Sequence, residues 1–239
     1  MKRFLSAIAI TLVFALLAAC GSNPASPAPK SEDPSPAPDS PAAPAITKLV
    51  IGLDDQFPPM GFRDDKNELV GFDIDLAKAV CDKLGIEAVP TPIDWSAKEF
   101  ELNGGKVDVL WNGLTITDAR KEAMLLSPAY IANAQVIVVR KDSGIKTLAD
   151  LSGKTVALQE ASSADEAYMA CSAAGTEKEL VKAPENISLF NDLKIGRIDA
   201  VVIDKVFGDY YIAQNGEGLL EVLEEQLADE EYGIAFKKD

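Results

Sequence analysis

The sequence predicts an α/β fold of two lobes, each a mostly parallel sheet flanked by helices. Three observations carry this. From Ile46 onward, apolar runs of strand length alternate with capped helical segments, the pattern of layered α/β proteins. A continuous apolar strand, Gln135 to Arg140, opens a second alternating series near Ala134 and suits burial on both faces. Gly105-Lys106-Val107-Asp108-Val109 in the first series is echoed by Gly196-Arg197-Ile198-Asp199-Ala200 in the second. Each echo follows a helix and starts a buried strand.

The chain opens with a targeting segment, residues 1–20. Lys2 and Arg3 give a positive start, and Phe4 to Ala19 is an apolar run shorter than the ~20 residues of an ordinary spanning helix. Leu17-Ala18-Ala19-Cys20 resembles the bacterial lipoprotein box, whose cysteine is lipidated, and Gly21-Ser22 follow it. Residues 21–45 are rich in Pro, Ala and Ser and cannot build a core, so they are expected to form a disordered, solvated tether. Lipid on Cys20 would then hold the folded part to the outer side of a bacterial cell membrane.

In the first lobe, Ile46 to Gly52 reads as a strand and Asp54 to Met60 as a loop, because Pro58 and Pro59 break either ladder. Phe62 to Phe72 reads as a hairpin. Asp73 is expected to cap a helix running to Lys83, with Gly85 just past its end. Ile86 to Pro90 is a second strand. Ser96-Ala97-Lys98-Glu99 has the form of a capping box opening a short helix. Val107 to Trp111 is a third strand, followed by a loop over Asn112–Thr117 and a helix capped by Thr117. In such sheets ligands collect at the carboxyl ends of strands, which brings the Asp54, Trp95 and Asn112 loops to one rim.

In the second lobe, Thr147 to Leu151 is a short helix closed by Gly153, and Lys154 to Leu158 a strand. Ser163-Ala164-Asp165-Glu166 reads as a second capping box, with Ser162 competing for the cap. Asn186 to Lys194 is a helix ended by Gly196, and Ile198 to Ile203 a strand ending at Asp204. A helix to about Ala213, a strand at Leu219–Leu223 and a last strand at Tyr232–Phe236 follow. Cys81 shares a helical face with Ala77 and Val80, and Cys171 one with Ala167 and Ala174. Both are read as buried free thiols rather than as the disulfide the compartment would permit.

Composition excludes several function classes. A net charge of −15 argues against nucleic acid as a partner. The chain has no histidine, which removes Ser-His-Asp and Cys-His catalysis and any His-containing metal site. No Gly-rich phosphate loop, metal-ligand spacing or nucleophile–base pair stands out. No catalytic residue, metal or cofactor is therefore expected.

What remains is a recognition set. Arg120 falls in the first turn of its helix, where the dipole disfavours a cation and free N–H groups favour an anion, so it is best explained as serving a carboxylate. Asp204 at the opposite strand end suits an ammonium, and also competes for the cap of the helix after it. Phe57 and Trp95 offer flat apolar walls. Asn112, Thr115, Ser162 and Ser163 are polar groups at the same strand ends. The set suits a free α-amino acid, which carries both charges on one carbon.

Several stretches together resemble the bacterial extracellular solute-binding proteins of family 3, the polar amino-acid receptors of ABC importers. They are Asp54 to Phe62, Gly71 to Leu76, Trp111 to Arg120, Ile145 to Gly153, Gly196 to Asp204 and Glu231 to Phe236. The resemblance covers about Ile46 to Asp239. It implies a type II periplasmic-binding-protein-like fold, with lobe one at 46–131 and 232–239 and lobe two at 134–230. Two crossing strands would join the lobes, near Ile131–Ala134 and Glu230–Tyr232. It implies that Arg120 binds the ligand α-carboxylate, assisted by Thr115 and Ser163. Asp204 would bind the α-ammonium, helped by Asn112 and Gly113. Phe57 and Trp95 would flank the ligand side chain, with Asp54 near its end. A monomer that hands its amino acid to an ABC permease is the implied mode of action.

There are departures. Family members usually carry Gly-Thr-Thr or Gly-Ser-Thr after the position of Gln159, where this chain has Glu160-Ala161-Ser162-Ser163. They commonly have an aromatic at the position of Met60. They also continue with another helix or two packed on the first lobe, whereas this sequence stops at Asp239; the expectation is a truncated sequence or an uncovered apolar face. The competing function is an enzyme on the same scaffold, such as a cyclohexadienyl-type dehydratase, for which Glu160 is the nominated general acid.

Overall fold

The computed structural model describes residues 46–238. The targeting segment, Cys20 and the tether lie outside the described residues. The first half runs β1 (Lys48–Leu53), β2 (Gln56–Phe57), β3 (Gly61–Arg63), β4 (Leu69–Val70), α1 (Phe72–Leu84), β5 (Glu87–Pro92), α2 (Lys98–Asn103), β6 (Val109–Thr115), α3 (Asp118–Ala123) and β7 (Leu125–Leu126). The second runs β8 (Ile131–Arg140), β9 (Thr155–Gln159), α4 (Ser163–Ala170), β10 (Glu179–Ala183), α5 (Asn186–Lys194), β11 (Ala200–Asp204), α6 (Lys205–Tyr211) and β12 (Leu220–Val222). β13 (Ala228–Phe236) returns between them.

One curled sheet passes through both halves in the order β10-β9-β11-β8-β13-β6-β1-β5. The parallel pairs that strand–helix alternation predicts lie toward its two ends: β1 with β5 and β6, and β9 with β10 and β11. The middle is antiparallel. β8 and β13 pair with each other from Ala228↔Gln135 to Tyr232↔Ile131, and each then pairs antiparallel with the half beyond it. The two lobes are thus two ends of one sheet, and the strands that cross between them are its central pair.

The residue pattern accounts for these elements. Val136 to Val139 of β8 are fully buried, as a strand covered on both faces requires. α1 buries Ile74, Ala77 and Cys81 on one stripe and stops at Gly85, whose φ of 69° is the left-handed cap an L side chain resists. In the second lobe Phe190 packs on Phe207 and Tyr211 at centroid distances of 5.2 and 4.4 Å, anchoring α5 to α6. Leu125 and Phe236, register partners on β7 and β13, are both exposed, an apolar pair at the surface of the first lobe.

Several local expectations are corrected. Gly71, not Asp73, sits at the start of α1; Asp73 is the second residue of the helix, buried, with its carboxylate turned to the protein interior. The short helix near Trp95 is opened by Asp94, whose Oδ1 accepts the Ser96 N–H, so Ser96 is not the cap. Ser162 caps α4, and Ser163 is its first residue. β6 continues to Thr115, because Leu114 and Thr115 pair again with Gly233 and Tyr232 of β13 after an irregularity that leaves Asn112 and Gly113 out of register; the expected loop is the end of a strand. β10 has no counterpart in the sequence reading, its half-buried ELVKA carrying a weak pattern. Cys81 and Cys171 are free thiols, but Cys171 follows the end of α4 and is only half-buried. The buried stripe of that helix runs through Ala164 and Tyr168 instead.

Candidate functional site

The end of β6 carries the densest set of polar groups. Asn112 and Thr115 are each 2% exposed. Gly113 stands at φ 54°, and a Cβ there would meet Phe57 Cε1 at 2.7 Å. A glycine is therefore what lets the Phe57 ring lie against the strand. The Gly113 N–H donates to Asp73 Oδ2 at 2.7 Å, and the Tyr130 hydroxyl donates to the same oxygen at 3.0 Å. Burial pushes Asp73 up to about 6 despite those two donors.

Thr117 caps α3 by accepting the Arg120 N–H at 3.2 Å. This turns the Arg120 side chain inward, where it is 4% exposed and its Nη1 donates to the Thr115 carbonyl at 2.8 Å. No carboxylate lies within ion-pair distance of it among the described residues. Burial holds its pKa below the ordinary value, against the pull of Glu166 and Asp204. A buried guanidinium with unfilled donors is a seat for an anion.

From the other lobe, Asp204 ends β11. Its Oδ1 accepts from the Tyr232 hydroxyl at 2.6 Å and from Asn133 Nδ2 at 2.7 Å. Burial, and then the neighbouring Glu230, push it up to about 7. It makes no cap bond to α6. Asp54 follows β1; its Oδ1 accepts the Gln56 N–H at 2.8 Å and its Oδ2 accepts from Gln159 Nε2 at 2.8 Å. Burial raises its pKa as well. The Asp54 N–H donates to Asn112 Oδ1 at 3.3 Å. Gln159 is held in turn by Asn186 Nδ2 at 2.9 Å.

These groups meet in one small cavity. Every predicted site residue except Thr115 lines it, and Gln159 joins them. One buried cation and two buried carboxyl groups face a space between flat walls, Phe57 and Trp95. That arrangement suits a small molecule carrying both signs of charge. Among the described residues no group of acidic, cysteine or histidine side chains is placed to hold a metal ion.

The family model for bacterial extracellular solute-binding proteins, family 3, matches residues 49–232. The chain belongs to this family. Among family 3 relatives, the L-cystine-binding protein TcyJ of Escherichia coli strain K12 is 30% identical over 80% of this chain and 71% of its own. The arginine-binding extracellular protein ArtP of Bacillus subtilis strain 168 is 31% identical, over 100% of this chain and 88% of its own. Among solved structures, a substrate-binding protein of an ABC uptake transporter from Streptococcus pneumoniae, with bound histidine, is 38% identical. It superposes with a TM-score of 0.76 over 80% of each chain.

Within this family 3 chain, Thr115 stands behind the cavity wall. Its hydroxyl lies 2.9 Å from Ser163 Oγ and donates to Glu230 at 3.0 Å. Ser162 donates to the Gln159 carbonyl at 2.7 Å and accepts the Asp165 N–H at 3.4 Å, so its hydroxyl is committed to the loop. Sequence reasoning missed Gln159 and Lys98. Lys98 is 3% exposed and lies under Trp95, with Nζ 5.2 Å from the ring centroid. A lysine beside an aromatic at the expected helix start is the signal that was available for it.

Proposed function

We propose that this chain captures a free, polar amino acid between its two lobes and delivers it to the permease of an ABC importer. The observation that carries the reading is the pairing of buried Arg120 with buried Asp204 in one small cavity. An α-amino acid presents a carboxylate and an ammonium on one carbon, and these two residues answer both. The family and the cystine, arginine and histidine of the relatives' names support the same class of ligand. Arg120 takes the α-carboxylate and Asp204 the α-ammonium. Phe57 and Trp95 flank the side chain, with Asp54 and Gln159 at its polar end.

In this reading lobe one comprises residues 46–131 and 232–239, and lobe two 134–230. The protein works as a monomer outside the cytoplasm, held to the membrane by lipid on Cys20. Among the described residues no helix is long and apolar enough to cross a membrane. Glu160, nominated for a dehydratase, does not line the cavity, which weighs against that alternative.

The test is a thermal-shift panel of L-amino acids, including cystine, on the full chain. A ligand at 100 times its dissociation constant stabilises by about 2.7 kcal/mol. For a protein of this size that is roughly 5–10 °C. A shift with one or a few amino acids supports the reading. A sharp transition that none of them moves would overturn it.

A further inference from the structure

Glu230 lies on the central strand β13 and is absent from the cavity lining, yet it is wired to three residues that serve the cavity. Its Oε2 accepts from Thr115 Oγ1 at 3.0 Å, from Gln135 Nε2 at 3.0 Å and from Asn133 Nδ2 at 3.1 Å. Three donors on one oxygen is the environment of a carboxylate. Asn133 Nδ2 also donates to Asp204 at 2.7 Å, so one amide nitrogen is shared between two acids. The Val206 N–H reaches Asn133 Oδ1 at 3.4 Å, which fixes that amide with its nitrogen toward both carboxyl groups.

A proton inventory follows from these contacts. The single Thr115 hydroxyl proton goes to Glu230, because a carboxylate only accepts. The 2.9 Å contact between Thr115 and Ser163 must then use the Ser163 proton, with Thr115 accepting. Ser163 in turn accepts from Gln135 Nε2 at 3.2 Å. The relay runs one way, from Gln135 through Ser163 and Thr115 to Glu230. Both hydroxyl protons are spent inside it. Ser163, which lines the cavity, therefore shows it a lone pair and not a proton, and an anion there is left to Arg120 and backbone N–H groups.

We propose that Glu230 is a positioning residue of the amino-acid site: its carboxylate fixes the direction of the Thr115–Ser163 hydrogen bond between the lobes and, through the shared Asn133 amide, sets how readily Asp204 carries the charge that holds a cation. The identity of that cation as an α-ammonium rests on the function proposed above. The charged and titratable groups facing Asp204 are Glu230 and Tyr232 from β13 and Arg120 from α3, with the Asn133 amide from β8. Burial, and then the Glu230 carboxyl beside it, push Asp204 up to about 7.

The test reads Asp204 directly. The full chain is labelled with carbon-13 at the aspartate and glutamate carboxyls, and Asp204 is assigned with D204N and Glu230 with E230D. The wild-type Asp204 resonance is expected to titrate near 7; E230Q should lower that midpoint by a full pH unit or more, and E230D should leave it nearly in place. In parallel, L-arginine affinity is followed by calorimetry from pH 5.5 to 8. Its acid-side loss should move to lower pH in E230Q by the same amount, with affinity at pH 8 reduced about tenfold because a neutral amide oxygen holds the relay donors more weakly than a carboxylate. An unchanged Asp204 midpoint in a cooperatively melting E230Q protein overturns the proposal. If E230Q does not melt cooperatively, wild type decides: the Glu230 resonance must inflect at the Asp204 midpoint, and a flat response there overturns it. If wild type binds no amino acid, the function proposed above fails, while the Asp204 titration still decides the role of Glu230.

Discussion

The Lys98 ammonium donates to the Ala161 carbonyl across 2.6 Å, from α2 in one lobe to the loop before α4 in the other. It also donates to the Trp95 carbonyl at 3.2 Å and has no carboxylate within ion-pair distance among the described residues. Burial, then Arg120, pull its pKa from 10.5 to about 8. Between those two values the unfolded chain binds the proton that the folded chain has released, so stability rises with pH there. Wild type should gain on K98M by up to about 3 kcal/mol between pH 8 and 10.5, measured by urea unfolding. Equal pH dependence of the two proteins would show that Lys98 is not desolvated.

Ala161 supplies that carbonyl from a left-handed backbone, φ 54°. An L side chain costs about 1–2 kcal/mol in this region. Glycine recovers most of that and gives back part as unfolded-state entropy. A161G should therefore raise stability by about 0.5–1 kcal/mol, read as a higher urea midpoint with an unchanged slope. A lower midpoint would mean that the Ala161 methyl packs usefully.

Asp204 must be charged to hold an ammonium, and burial puts its pKa at about 7. Amino-acid affinity should fall about tenfold per pH unit below that point and level off above it. D204N should lose about 2–4 kcal/mol of binding and lose the acid limb with it. Calorimetry at several pH values gives both numbers. A flat profile in wild type would remove Asp204 from the ammonium role.

Arg120 reaches the cavity as a planar fork already tied to the Thr115 carbonyl. Lysine keeps the charge and loses the fork. R120K is expected to weaken amino-acid binding by about tenfold or more, and R120A by about a hundredfold or more. If R120K bound as wild type does, a point charge would suffice and the bidentate geometry would be wrong.

Gly113 is fixed by two requirements at once, its positive φ and the Phe57 ring where a Cβ would go. G113A should lower the melting temperature by several degrees, for about 1–2 kcal/mol of backbone strain, and should weaken binding by displacing Phe57. A variant with wild-type affinity would show that Phe57 is not a wall of the binding site.

The parts of this protein that are legible in sequence are those with a local signal. Arg120 in a first helical turn, Asp204 at a strand end, and Phe57 and Trp95 in turn-rich loops each stand out against their neighbours. Asp73 shows the limit. Its place before an apolar stripe imitates a cap, yet its partner is the Gly113 N–H, 40 residues on. Gln159 and Glu230 carry no local mark, since what gives each its role is a partner 105 or 115 residues away. The strand order is partly legible: alternation predicts the parallel ends, while the antiparallel centre depends on the return of β13, which local periodicity does not encode.

That centre has a mechanical consequence. β8 and β13 are hydrogen-bonded side by side from Ala228↔Gln135 to Tyr232↔Ile131 where they pass between the lobes. A rotation of one lobe against the other would be absorbed as torsion spread along this ribbon, with its ladder intact. Such a joint behaves as a torsion bar and has no single pivot. Glycine placed at any one position along it would soften the joint by a fraction, and the stiffness would be divided among all the paired residues.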